Sequence, residues 1–181
     1  VLTDLDGLRE VIRDSQSVPT QRGRGLRLIE WKESPFPGPG DKVRFQLSLP
    51  RRYRPNTPTP VILALHPKGM DAASFVSRKL LKNRDMADRY LIVAPEWMDR
   101  KNDPWGTETE VGRGALLIPL AYLLRGYNVD PDRIYILGEA EGGTAALDVA
   151  MSFTDLFAGV FAFGGGAVRP LEPNLDHVAV H

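Results

Sequence analysis

The sequence contains no cysteine, which excludes disulfides, thiolate metal sites and a cysteine nucleophile. It has no excess of charge of either sign, because 23 Lys and Arg balance 23 Asp and Glu. The basic surface by which nucleic-acid binders and acidic-membrane binders hold their partners is therefore not expected. No apolar run approaches the roughly 18–20 residues of a membrane span, and the N-terminus lacks a basic-then-apolar leader pattern. A soluble chain without a membrane span is expected, with its compartment and oligomeric state open. What is present is ordinary globular composition, 43% hydrophobic and 25% charged over 181 residues. That is enough for one domain with a core, and it excludes a mostly disordered chain. The chain opens at Val1 rather than Met, as a processed or excised piece would.

Residues 1–25 read as a polar N-terminal segment and connector. Leu5, Leu8, Val11 and Ile12 stand at helical spacing ahead of Pro19. The following Gln21-Arg22-Gly23-Arg24-Gly25 is basic, but it lacks the aromatic interleaving of a nucleic-acid surface and reads as a solvated connector. Residues 26–31 and 43–49 alternate with period two around a Pro/Gly cluster, which predicts an antiparallel strand pair.

From Val61 the pattern changes. Val61–Leu65 is a continuous apolar run of the kind buried on both faces of a parallel sheet. A helical pattern covers 71–90 with Asp71 as its cap, and 90–95 is a second apolar strand. A helix over 111–125, kinked or started afresh near Pro119, stops at Gly126. A strand over 133–138, a helix over 140–153, a strand over 157–163 and a last strand over 177–181 complete the series. An α/β fold is expected, with a mostly parallel sheet, helices on both faces and an antiparallel N-terminal pair.

In such sheets, sites lie beyond the carboxyl ends of the strands. Three of those ends are unusual. They are His66-Pro67-Lys68-Gly69-Met70-Asp71, then Glu96-Trp97 with Trp105, and Gly138-Glu139-Ala140-Glu141-Gly142-Gly143. The third has the frame of a nucleophile elbow, in which a strand turns sharply into a helix and glycines permit the close packing. The pattern is Gly-x-Ser-x-Gly, and here the central residue is Ala140. No His or carboxylate grouping has metal-ligand spacing, and no cofactor is expected. Phosphate binding at the glycine turn would need Gly-x-Gly-x-x-Gly, and Glu139 and Glu141 would repel a pyrophosphate.

From about residue 52 to 168 the chain resembles the α/β-hydrolase fold, closest to its esterase, polyhydroxyalkanoate-depolymerase-like and predicted-peptidase groups. The matching phrases are residues 60–66 with Gly69, residues 91–95, the stretch Asn128-Val129-Asp130-x-x-Arg133-Ile134-Tyr135-x-x-Gly138, Gly142-Gly143 and residues 157–160. The resemblance implies that Ala140 occupies the serine nucleophile's position. It implies that the backbone N–H of Glu141 and that of Lys68 are the oxyanion donors, although Pro67 stands where the family has glycine. His66 would brace that loop and, with Met70, Trp97, Trp105 and Glu139, would line the pocket of a small-molecule ester or acyl substrate.

The family's acid and histidine follow later strands, so residues 26–181 are expected to be a domain lacking its last strands and helix, part of a protein longer by roughly 50 residues or more. Asp176 and His177 precede the last strand, and His181 reads as a strand-end residue. The Glu139/Glu141 pair is more simply a favourable charge at a helix N-terminus than an acid/base couple. The expected function is that of a serine-esterase-type domain left inactive by Ala140. A pseudoenzyme binding a ligand or protein is the alternative.

Overall fold

The computed structural model describes residues 25–31, 43–97, 110–166 and 179–180. Strands β1 (Gly25–Trp31) and β2 (Val43–Leu49) form the expected antiparallel pair, Gly25 opposite Leu49 and Trp31 opposite Val43. Strands β3 (Thr59–Leu65), β4 (Leu91–Pro95), β5 (Val129–Glu139), β6 (Gly159–Phe163) and β7 (Ala179–Val180) add to it in the order β1-β2-β4-β3-β5-β6-β7. β2 meets β4 antiparallel, and every pairing from β4 to β7 is parallel. The reversal of order between β3 and β4 places the carboxyl ends of β3 and β5 side by side, with Leu65 opposite Gly138. A topological switch point of this kind is where open α/β sheets hold their sites.

Period-two alternation on buried strands sends successive side chains to opposite faces. Val61, Leu63, Leu65, Leu91, Val93, Ile134 and Ile136 join one core cluster with helices α3 (Glu110–Gly126) and α4 (Glu141–Ser152). Ile62, Ala64, Ile92, Ala94 and Leu137 join the other with α1 (Ala72–Phe75) and the π-helical turn Val76–Leu80 that continues it. Helices therefore cover both faces, as expected. On the second face an apolar depression remains, lined by Ile62, Met86, Tyr90, Tyr135, Leu137, Phe161 and Phe163. Among the described residues, no helix is long and apolar enough to cross a membrane.

The single helix expected over 71–90 is two. Asp71 caps the first through Ser74 N–H at 2.7 Å. In the π turn, Leu81 N–H reaches back five residues to the Val76 carbonyl at 2.9 Å. Asn83 then takes the N–H groups of Asp85 and Met86 on its side-chain oxygen and starts α2 (Arg84–Arg89). A side chain that offers the backbone an alternative acceptor ends one helix and caps the next.

Pro119 does not divide α3, which runs through it. β5 begins earlier than expected, at Val129. Its register shifts between the pairs Thr59–Val129 and Val61–Ile134, so Pro131 falls where no ladder bond is required. In that irregular stretch Asp130 holds Arg133 at 2.7 Å, while Asn128 anchors to the Pro55 carbonyl at 2.8 Å. These contacts are the physical content of the Asn-Val-Asp-x-x-Arg phrase. Of the expected last strand over 177–181, Ala179 and Val180 are described, and they pair with Gly159 and Val160. Asp176, His177, His181 and Trp105 lie outside the described residues, as do residues 1–24.

Glycines at the β5–α4 turn allow helix and sheet to touch backbone to backbone. A Cβ on Gly142 would stand 2.1 Å from the Leu65 carbonyl oxygen, and one on Gly138 would stand 2.0 Å from that of Gly142. No side-chain rearrangement relieves a clash with backbone. Gly142→Ala is expected to destabilise the protein by at least about 3 kcal/mol, measured by chemical denaturation. A loss below about 0.5 kcal/mol, the size of an ordinary surface change, would show that the helix is not seated so closely.

Candidate active site

Residue 140 sits where β5 ends and α4 begins. Its backbone is at φ 52°, ψ −117°, and it is the one positive-φ residue other than glycine among the described residues. A Cβ-bearing residue pays strain there. The surroundings hold it in place: Ala140 N–H donates to the Phe163 carbonyl at 2.7 Å, and its own carbonyl accepts Thr144 N–H at 3.1 Å. The strand-to-helix turn thus has the geometry of a nucleophile elbow, with a methyl group where a hydroxyl would be needed. Gly164, Gly165 and Gly166 continue from β6 against the same helix start. Gly166 N–H reaches Thr144 Oγ1 at 3.1 Å, and a Cβ on Gly165 would stand 2.4 Å from Thr144 N.

The second wall is the loop after β3. Met70 N–H bonds back to the Pro67 carbonyl at 3.3 Å, with Gly69 at φ +83° in the third position of the turn, as a type II turn requires. His66 is buried, and its Nδ1 lies 3.1 Å from the same Pro67 carbonyl. Since a carbonyl can only accept, Nδ1 is the donor in this contact. Pro67, whose missing N–H put this loop in question, instead supplies the carbonyl that organises it. Lys68 N–H is not used inside the turn. It donates to Glu141 Oε2 at 3.2 Å, across 73 positions of sequence.

Both amides expected to hold an oxyanion therefore meet one anionic group. The Glu141 carboxylate accepts its own backbone N–H and that of Lys68, and these bonds, with a smaller attraction from the Lys68 ammonium, hold its carboxyl below the usual glutamate range. Glu139 is turned elsewhere, its carboxylate 3.0 Å from Lys79 Nζ. The two flanking glutamates do not form an acid/base couple.

Of the other candidates, Met70 packs partly buried against the α1-side cluster. Trp97 is not on an open rim. It is 3% exposed, belongs to the main core, and its ring centre is 6.0 Å from that of His66. Among the described residues, its indole N–H and His66 Nε2 are both buried without a hydrogen-bond partner. Sequence reading placed Trp97 on a loop because it follows a strand, and it missed that Glu96 ties that loop down. The Glu96 carboxylate takes Ala72 N–H at 3.3 Å and Gln46 Nε2 at 3.2 Å. Among the described residues no group of His, Asp or Glu is placed to hold a metal ion.

No protein-family model matches the chain, and no curated protein does. Solved structures do. A thermostable esterase matches with TM-score 0.64 and 26% identity over 86% of this chain and 45% of its own. FphF, a fluorophosphonate-binding serine hydrolase of Staphylococcus aureus, matches with TM-score 0.62 and 14% identity over 79% and 58%. The chain has the α/β-hydrolase fold. An acetyl xylan esterase from Aspergillus awamori matches in the same way, with TM-score 0.61 and 14% identity over 78% of this chain and 53% of its own. The chain spans about half the length of these solved structures.

Two outcomes test the site's geometry. Ala140→Gly relieves the positive-φ strain at the cost of a more flexible unfolded chain, and is expected to stabilise the fold by about 1 kcal/mol in urea denaturation; a loss of stability would mean that the elbow is not strained. Because the Glu141 carboxyl is held low, its contacts stabilise the fold above the ordinary value of 4.5 and are lost as pH falls through the lowered one. The Lys68 amide proton resonance is expected to shift in acid with a midpoint below 4.5, and to show no such step in Glu141→Gln.

Proposed function

We propose that this chain is the elbow-bearing part of an esterase-type serine hydrolase domain in which the nucleophile position is occupied by Ala140, so that as it stands it forms no acyl-enzyme. The observation that carries this reading is the backbone of residue 140. It is bent to φ 52°, ψ −117° between two amides that converge on an anion. A strained backbone persists only where the surrounding structure enforces it, and such strain gathers at functional sites.

In a serine-bearing form, the hydroxyl oxygen would attack the carbonyl carbon of an ester. The Lys68 and Glu141 amides would stabilise the charge that develops on the acyl oxygen, while a base takes the hydroxyl's proton on attack and, now protonated, returns it to the departing alkoxide. The acid and base are assigned to parts of the protein outside the described residues. The substrate class, a small ester or acyl compound, is supported by the esterases among the similar structures.

A second reading has its own observation. The anion-holding amides remain intact although the residue they would serve has no hydroxyl, as expected of a pseudoenzyme that keeps the site for binding.

The test is Ala140→Ser in the protein that carries this chain, treated with a fluorophosphonate probe. A covalent adduct on residue 140, at a rate at least about 1,000-fold above the unmodified protein, is the expected result. With the fold shown intact by circular dichroism, the absence of an adduct would discard the hydrolase reading and leave the binding one.

A further inference from the structure

We propose that the Glu141 carboxylate is a built-in gate on the oxyanion hole, an intramolecular occupant that any incoming anionic oxygen must displace. The inference rests on the assignment of the Lys68 and Glu141 amides made above, and goes beyond it by giving the site a closed state.

The contact joins two separate parts of the chain. Glu141 is the first residue of α4, and Lys68 lies in the turn after β3. An exposed glutamate at a helix start ordinarily leaves its carboxylate in water. Here the side chain folds over the turn and reaches Lys68 N–H at 3.2 Å. A carboxylate and an acyl oxyanion demand the same thing of these amides, so both cannot be served at once. The contact is at the surface, where a hydrogen bond to an anion is of modest strength and the side chain can swing out. It therefore acts as a competitor and not as a permanent seal.

A gate differs from simple charge repulsion in what it predicts for aspartate. Glu141→Asp keeps the negative charge at the helix start but is one methylene too short to hold a bond that is already 3.2 Å long. Methylphosphonate, a small tetrahedral anion, is titrated into the isotopically labelled protein at fixed pH and ionic strength while the Lys68 amide resonance is followed. Glu141→Gln and Glu141→Asp are both expected to bind it about 10-fold more tightly than the unmodified protein, with the Lys68 resonance moving on binding. Equal affinity in all three proteins would overturn the gate. Tightening in Glu141→Gln alone would also overturn it, by assigning the effect to charge.

The outcome separates from that of the hydrolase reading. If Ala140→Ser takes no fluorophosphonate yet both Glu141 variants bind the anion more tightly, the gate stands and the hydrolase reading falls. If the serine variant labels and anion affinity is unchanged by either Glu141 substitution, the reverse holds.

Discussion

The close backbone approach between the start of α4 and the end of β3 is the constraint on which the site depends. With no side chain at Gly138 and Gly142, the first turn of the helix lies directly on the carbonyls of Leu65 and His66. That contact sets how far the helix N-terminus stands from the loop after β3. It is what lets the amides of Glu141 and Lys68 face one group. A helix seated even a Cβ radius higher would separate the two donors and leave a turn with no function to read. The strain at residue 140 belongs to the same constraint, because a chain leaving β5 has only one residue in which to turn before the helix is seated.

Scaffold and chemistry are separable in this molecule. The elbow, its glycines, the flanking hydrogen bonds of Ala140 and the type II turn at Lys68 are all present, while the atom that would react is not. Strain of this kind is costly to retain, and a methyl group gains nothing obvious from it. What the site still does is hold an anion, and in the described structure that anion comes from the protein itself.

Much of the fold was legible in the residues. Apolar runs such as 61–65 announced a sheet buried on both faces, and the glycine frame around residue 140 announced a tight strand-to-helix turn. Local competition was less legible. The split at Asn83 and the survival of α3 through Pro119 turn on single side-chain and backbone bonds that no periodicity records. Trp97 was misplaced for a related reason. A residue after a strand reads as loop, and only the anchoring of Glu96 to Ala72 and Gln46 puts its ring in the core.

The sequence by itself determined the class of fold and the position of the tight strand-to-helix turn with Ala140 at its centre, because these follow from side-chain type and spacing along one segment. The reach of the Glu141 carboxylate to the Lys68 amide was decided only by tertiary structure. Two residues 73 positions apart carry no local signal of each other. They become neighbours because the sheet order sets β3 beside β5 and the glycines let the following helix settle onto both.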